Sequence, residues 1–430
     1  MSQNGRRRIA VVGGGIAGLT AATCAARAGA AVTLFESVSR PGGRARTRQE
    51  EGFRFNMGPH ALYRKGPAEA VLEGLGVQPA GSPPDISRAL GIAAGRLHAL
   101  PGGPLSLVTT TLLGARDKWT LARQLTAITK LDPTPWNGRT LRDFLEATFA
   151  SAALRDLLAA LVRLSSYCHA PDAMSAGAAI AQLQSALGNG VRYLDGGWQA
   201  MVDALVARAG EAGVELRSGA RVRAVEDGTG VVLRLADDTR FEADGAVLAL
   251  GPAEASALVS GGAHPQLAEW AERSQPVRAA CLDVALRSLP EPRRPIALGI
   301  DTPTYLSLHS GAARGLAPEG GAVFQLARYL APDEKPERDA VQAQLEAQLD
   351  GLQPGWRERL VGKKLLLDVR VANAMPSAER GGLAGRPPVD ALAASKPGLW
   401  LAGDWIGPEG WLVDGSFASG RDAGQAAARA

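Results

Sequence analysis

The strongest constraint on this chain lies near its start, where "IAVVGGGIAGLTAA" runs on into "VTLFES". A short apolar run, a glycine cluster, an alanine-rich amphipathic stretch and a second apolar run read as strand, tight turn, helix, strand. Gly13, Gly15 and Gly18 hold the GxGxxG spacing, with Ala17 in the same turn. The first glycine permits the sharp exit from the strand, the second lets a pyrophosphate approach the backbone, and the third lets helix and strand pack closely. The helix N-terminus then offers free N–H groups and a positive dipole end to phosphate. Glu36 closes the second strand, 18 residues after Gly18. A carboxylate there can accept from both ribose hydroxyls and repels a 2′-phosphate. The unit opens a doubly wound α/β sheet and predicts an ADP moiety; NAD and FAD both satisfy it.

Composition narrows the partners. The 430 residues suggest roughly two domains. The net charge is only +4, and no basic stripe with interleaved aromatics is visible, so nucleic acid is not an expected partner. Cys24, Cys168 and Cys281 lie far apart, without CxxC or other metal spacing; no metal site is expected, and a reducing, cytoplasmic setting fits. The arginines before "IAVV" are not followed by a signal-peptide pattern. The stretch "LHALPGGPLSLVTTTLLGA" carries too many Pro, Gly and Thr residues for a spanning helix, which leaves peripheral contact with a membrane open.

Helical periodicity dominates from about Leu97 to Gln184. Strands with turns at "DGTG" and "ADD" follow the helix "WQAMVDALVARAGEAG", and the chain closes on "GLWLAGD", a loop and the helix "SFASGRDAGQAAARA". Nucleotide-type segments at both ends and in the middle imply two domains built from separated pieces. The expected cofactor domain comprises 1–80, 191–262 and 363–430, and the substrate domain 81–190 and 263–362.

Further motifs decide the nucleotide. "ESVSRPGGRARTR", with Gly43 and Arg44 after the ribose acid, resembles the flavin-binding signature of the amine oxidase and phytoene desaturase superfamily. "FRFNMGPHAL" is similar to that family's segment beside the flavin ring, where Gly58 and Pro59 would bring backbone close. "GARVRAVE" resembles the strand whose backbone holds adenine, at Val222. "GLWLAGDWIGPEGWLVDGSFASGRDAG" resembles the C-terminal flavin motif, in which Gly403 and Asp404 meet the ribityl and pyrophosphate region. There the helix near Gly415 points at flavin N1. The resemblance implies FAD, a Rossmann-like, glutathione-reductase-type cofactor domain, and an α+β substrate domain.

The family's usual reaction is hydride removal from a C–H bond to flavin N5. With a single GxGxxG, oxygen or a quinone is the expected electron acceptor. The strand "PVRAACLDVAL" carries Arg278 but not the lysine of many amine oxidases, and Lys363 and Lys364 fit that role less well. The C-terminal rhythm favours a small to medium, largely apolar, isoprenoid-like substrate. Amine oxidase and protoporphyrinogen-type oxidase remain alternatives, as does a flavin-free escort protein of the prenyl-binding kind. His60 is a candidate donor to flavin or substrate. Trp411 resembles the family's aromatic beside the flavin and is the expected wall of the substrate cavity.

Overall fold

The structure is a computed structural model and describes residues 5–227 and 230–430; the turn expected at "DGTG" lies partly outside the described residues. Strand β1 (Arg8–Val12), helix α1 (Ile16–Arg27) and strand β2 (Ala31–Glu36) form the expected opening unit. β1 sits at the centre of a five-stranded parallel sheet, in the order Glu215–Ser218, β2, β1, Gly245–Leu248, Leu399–Leu401. Segments from the beginning, middle and end of the chain thus share one sheet.

The two-residue period of β1 explains how both faces are covered. Ile9 and Val11 join a core with α1 and the last helix, Val413–Arg429, whereas Ala10 and Val12 pack with a three-stranded antiparallel sheet (Val222–Asp227, Val231–Leu235, Arg240–Ala243). All four side chains are at most 5% exposed. Burial of each large aliphatic side chain contributes about 1.5–3 kcal/mol. The last helix meets α1 backbone to backbone: a Cβ at Gly420 would stand 2.5 Å from the Ala17 carbonyl oxygen, and one at Gly424 2.3 Å from that of Ala21. Helices on one face and a small antiparallel sheet on the other make this the expected Rossmann-like α/β architecture.

The second layer system is a seven-stranded mixed sheet, in the order Leu360–Ala372, Val277–Leu286, Ala322–Leu330, Thr304–Leu308, Ile296–Gly299, Leu90–Ala93, Arg96–Ala99. Alternation along Val277–Leu286 again sets two faces. Ala280, Leu282, Val284 and Leu286 pack with helix Arg338–Leu352, while Ala279, Cys281, Asp283 and Ala285 turn away from it. Helices Ala115–Ile128, Leu141–Thr148, Ala152–Ser166 and Ala176–Asn189 form a separate apolar cluster beside this sheet. The boundary expected at 362/363 falls inside strand Leu360–Ala372, which pairs with Val277–Leu286, so by sheet membership the crossing lies beyond Ala372. Likewise Leu267 and Trp270, on the substrate side of the 262/263 boundary, pack into the core beneath the cofactor sheet.

Candidate active site

The glycine turn is shaped for an anion. Gly13 has φ +106°, a region L side chains rarely adopt, and a Cβ there would stand 2.5 Å from the Ala249 carbonyl oxygen. A Cβ at Gly18 would collide with the Gly13 carbonyl oxygen at 1.8 Å. At Gly15 the same atom would meet nothing within 4 Å, so the turn opens onto free space in front of α1. That helix has no side-chain cap, which leaves its first amides for a ligand. The second glycine loop is tied alongside: Gly42 N–H donates to the Gly14 carbonyl oxygen at 2.8 Å, and Gly43 lies against Gly15.

Glu36 is 8% exposed and braces this turn. Its Oε2 accepts from Gly14 N–H at 2.8 Å and its Oε1 from Val38 N–H at 2.9 Å. The strand carrying Val222 begins close by, because Ala220 N–H donates to the Glu36 carbonyl oxygen at 2.8 Å. Val222, 8% exposed, pairs with Leu235 at a register shift. Glu36 and the expected adenine strand therefore share one end of the sheet.

Asp404 ties the two ends of the chain together. It is 1% exposed, and its Oδ2 accepts from Arg44 Nη1 at 2.8 Å and from Asn373 N–H at 3.0 Å. Its Oδ1 accepts from Asn373 Nδ2 at 2.7 Å. Burial alone would raise its pKa, but the Arg44 guanidinium and the Asn373 donors hold the carboxyl below its ordinary value. Arg44 also donates to the Val371 carbonyl oxygen at 2.8 Å, so it spans from the glycine loop to the seven-stranded sheet. Arg386, half-buried, donates to the carbonyl oxygens of Asp404 and Gly410, and desolvation lowers its pKa to about 10. Gly403 N–H donates to Ser419 Oγ at 2.9 Å, fixing the motif to the last helix. Gly415 stands in the first turn of that helix, whose cap residue Leu412 has φ +55° and supplies no side-chain acceptor. An uncapped helix end beside Asp404, like the open Gly15 turn, suits a bound dinucleotide. FAD fits these residues.

The two side chains expected near the flavin are engaged in different ways. His60 follows Gly58 and Pro59, but its Nδ1 lies 2.9 Å from the Gly58 carbonyl oxygen and its Nε2 3.1 Å from that of Arg44. Its ring lies against Trp198, and burial lowers its pKa. A neutral imidazole can donate to only one of those oxygens. Trp411 is 1% exposed, within the helical cluster that includes Tyr63, Met174 and Leu412, and its indole N–H has no partner among the described residues. It packs as core and does not border open space, contrary to its expected place as a cavity wall. Bulk explains the difference: so large an apolar surface is most stable where helices cover it on all sides.

Sequence reasoning missed Asn373 and Arg386, which stand in "ANAMPSAERGGLAGR"; only the fold shows that they meet Asp404. It also missed a buried polar layer on the sheet face that turns away from helix Arg338–Leu352. Gly58 lies on this face, for its Cβ would stand 3.1 Å from Cys281 Sγ. Next along the strand is Asp283, paired across strands with Gln325 on one side and Lys364 on the other. Asp283, Gln325 and His309 are at most 1% exposed, and none of their polar side-chain atoms has a hydrogen-bond partner among the described residues. Burial pushes the Asp283 pKa up to about 7; the Gly58 amide and Lys364 oppose this, the amide without meeting hydrogen-bond geometry. Tyrosines surround the layer. Tyr193 stacks on His309 at 4.0 Å and its hydroxyl lies 2.7 Å from that of Tyr305, while Tyr167 meets Tyr329 edge-on.

Val371, whose carbonyl oxygen accepts from Arg44, also belongs to an apolar cluster. Leu164 and Tyr167 from the helical side and Leu366, Val369 and Val371 from strand Leu360–Ala372 are all only partly buried and pack on one cluster.

A family model for flavin-containing amine oxidoreductases matches residues 16–428. The chain belongs to that family: it is an oxidoreductase whose cofactor is FAD. Among individual relatives, the hydroxyneurosporene desaturase of Cereibacter sphaeroides is 28% identical over 97% of each chain. The carotenoid 3,4-desaturase of Haloarcula japonica is 51% identical over a short stretch, 14% of this chain and 12% of its own length. A solved oxidoreductase structure from Methanosarcina mazei superposes with a TM-score of 0.77 at 18% identity, covering 96% of this chain and 99% of the other, which shows the shared fold.

Proposed function

We propose that this protein dehydrogenates a small to medium, largely apolar substrate, isoprenoid-like in character. Gly13, Gly15, Ala17 and Gly18 hold the pyrophosphate of FAD, Glu36 the ribose, and the backbone at Val222 the adenine. Gly43, Arg44, Gly58, Pro59, Gly403, Asp404 and Gly415 hold the flavin half. Held by these residues, FAD would supply the acceptor for a hydride equivalent leaving a substrate C–H bond. Arg44, anchored by Asp404 and Val371, fixes the floor of the site against the substrate sheet. The amides at the start of helix Val413–Arg429 favour negative charge in front of them. Leu164, Tyr167, Leu366, Val369 and Val371 exclude water and orient an apolar chain by contact.

The partly buried apolar cluster that reaches Arg44 through Val371 is the observation that carries the reading, and the match to hydroxyneurosporene desaturase over 97% of each chain supports it. Oxygen or a quinone would reoxidise the cofactor. The test is anaerobic bleaching of the flavin absorption band with polyenes, amines and porphyrinogens offered separately. Bleaching by a polyene alone is expected; bleaching by an amine or a porphyrinogen but by no polyene would overturn the substrate class.

A further inference from the structure

Seven large hydrophobic side chains stand exposed among the described residues, and five of them lie between residues 86 and 119. They are Ile86 at 62%, Leu97 at 37%, Leu105 at 79%, Val108 at 72% and Trp119 at 66% exposure. Hydrogen bonds hold their segments together. Leu100 N–H donates to the Ala89 carbonyl oxygen, Thr110 Oγ1 to that of Ala99, and Lys118 Nζ to that of Val108. The short helix Pro104–Thr109 is two-sided: Leu107 packs into the helical cluster while Leu105 and Val108 face out. Single exposed apolar residues need no explanation, but five of them on segments tied together by these hydrogen bonds call for one.

Charge is segregated to the same place. From Ile86 to Lys130 there are six basic residues and one acidic residue, a net +5 against +4 for the whole chain. The acids that bracket the segment, Asp85 and Asp132, accept from the amides of Ser87 and Thr134; with both counted the segment is still net +3. The acid inside it, Asp117, accepts from Ser151 Oγ. Arg123 lies 5.1 Å over the Trp119 ring, so a cation sits beside the largest exposed apolar surface. No described helix is long and apolar enough to cross a bilayer.

We infer that this face docks on an anionic lipid surface, with Leu105, Val108 and Trp119 entering the headgroup boundary while Arg116, Lys118 and Arg123 meet the lipid phosphates. Apolar side chains flanked by cations are what such an interface selects. Indole is favoured at that depth because one edge is apolar and the other can hydrogen-bond. The inference stands whatever the flavin oxidises.

The test uses the full-length, FAD-loaded protein with vesicles of phosphatidylcholine alone or containing about 30% phosphatidylglycerol, in low salt and in about 0.5 M salt. Binding to the anionic vesicles that weakens in high salt is expected. The double variant Leu105→Ser, Trp119→Ser should bind about tenfold less or weaker still, with its flavin content unchanged. Brominated lipid should quench wild-type tryptophan fluorescence, and Trp119→Phe should lose most of that quenching, a readout that does not depend on a disruptive variant. Absence of vesicle binding, equal binding by the double variant, or a dimer abolished by the same substitutions without vesicle binding would each overturn the proposal.

Discussion

Asp404 and Asp283 are both 1% exposed, yet the fold treats them in opposite ways. Asp404 meets Arg44 and two donors of Asn373, and its pKa is held down; Asp283 meets no hydrogen-bond donor of proper geometry, and its pKa is driven up to about 7. Burial penalises both carboxylates equally in kind; partners decide the sign. Asp404 sits where loops from distant parts of the chain converge and can bring a cation and an amide. Asp283 sits mid-strand, where its backbone donors are spent on the ladder and its side-chain neighbours are set by register.

The largest expected effect comes from breaking the satisfied side. Asp404→Ala removes a charge-assisted contact and two further hydrogen bonds, and should cost about 4 kcal/mol, already reduced because Arg44 is part-exposed. Denaturant unfolding of the flavin-loaded protein would read this, with loss of most bound flavin alongside. The same carboxylate has a folded pKa below its unfolded value. Its stabilisation is present above the ordinary carboxylate pKa and is lost as pH falls through the folded value. An Asp404→Ala chain as stable as wild type at pH 7 would erase the contrast.

Asp283 should behave in the reverse sense. Its folded pKa near 7 lies above the unfolded value, so the folded state binds the extra proton and stability falls as pH rises between about 4 and 7. Asp283→Asn should therefore stabilise the protein by about 3 kcal/mol at pH 8, with the gain shrinking as pH is lowered towards about 4. Thermal unfolding across that range distinguishes this from a pH-independent packing change, which would show Asp283 to be partnered after all.

Glu36→Ala gives a smaller, local effect. It removes the acceptor for the Gly14 and Val38 amides and the proposed ribose contact, so FAD affinity should fall about tenfold while the fold persists. Flavin release followed by fluorescence would show it. Trp411→Phe should have the least effect, under about 1.5 kcal/mol, because it keeps most of the apolar volume and removes an indole N–H that has no partner. Unchanged flavin content and a near-native unfolding midpoint are expected; a large loss would mean that the N–H has a partner in solution.

The glycine spacing, Glu36, the paired glycines before Arg44 and "LAGD" announce the cofactor fold directly, since each depends on a local requirement: a turn only glycine can make, or a strand end at fixed distance. Strand and helix periods likewise announce the two faces of β1. The partnership of Arg44 with Asp404, 360 residues apart, and their meeting with Asn373 and Arg386 follow only from the parallel sheet that joins both chain ends. The register that sets Asp283 between Gln325 and Lys364 is equally tertiary, because a one-residue slip would turn every side chain to the other face. Trp411 and His60 show the limit most plainly. A side chain's type and its neighbours in sequence describe what it could do. Whether it faces a ligand, a backbone carbonyl or a packed core is set by elements far along the chain, and burial free energy, summed over all of them, makes that choice.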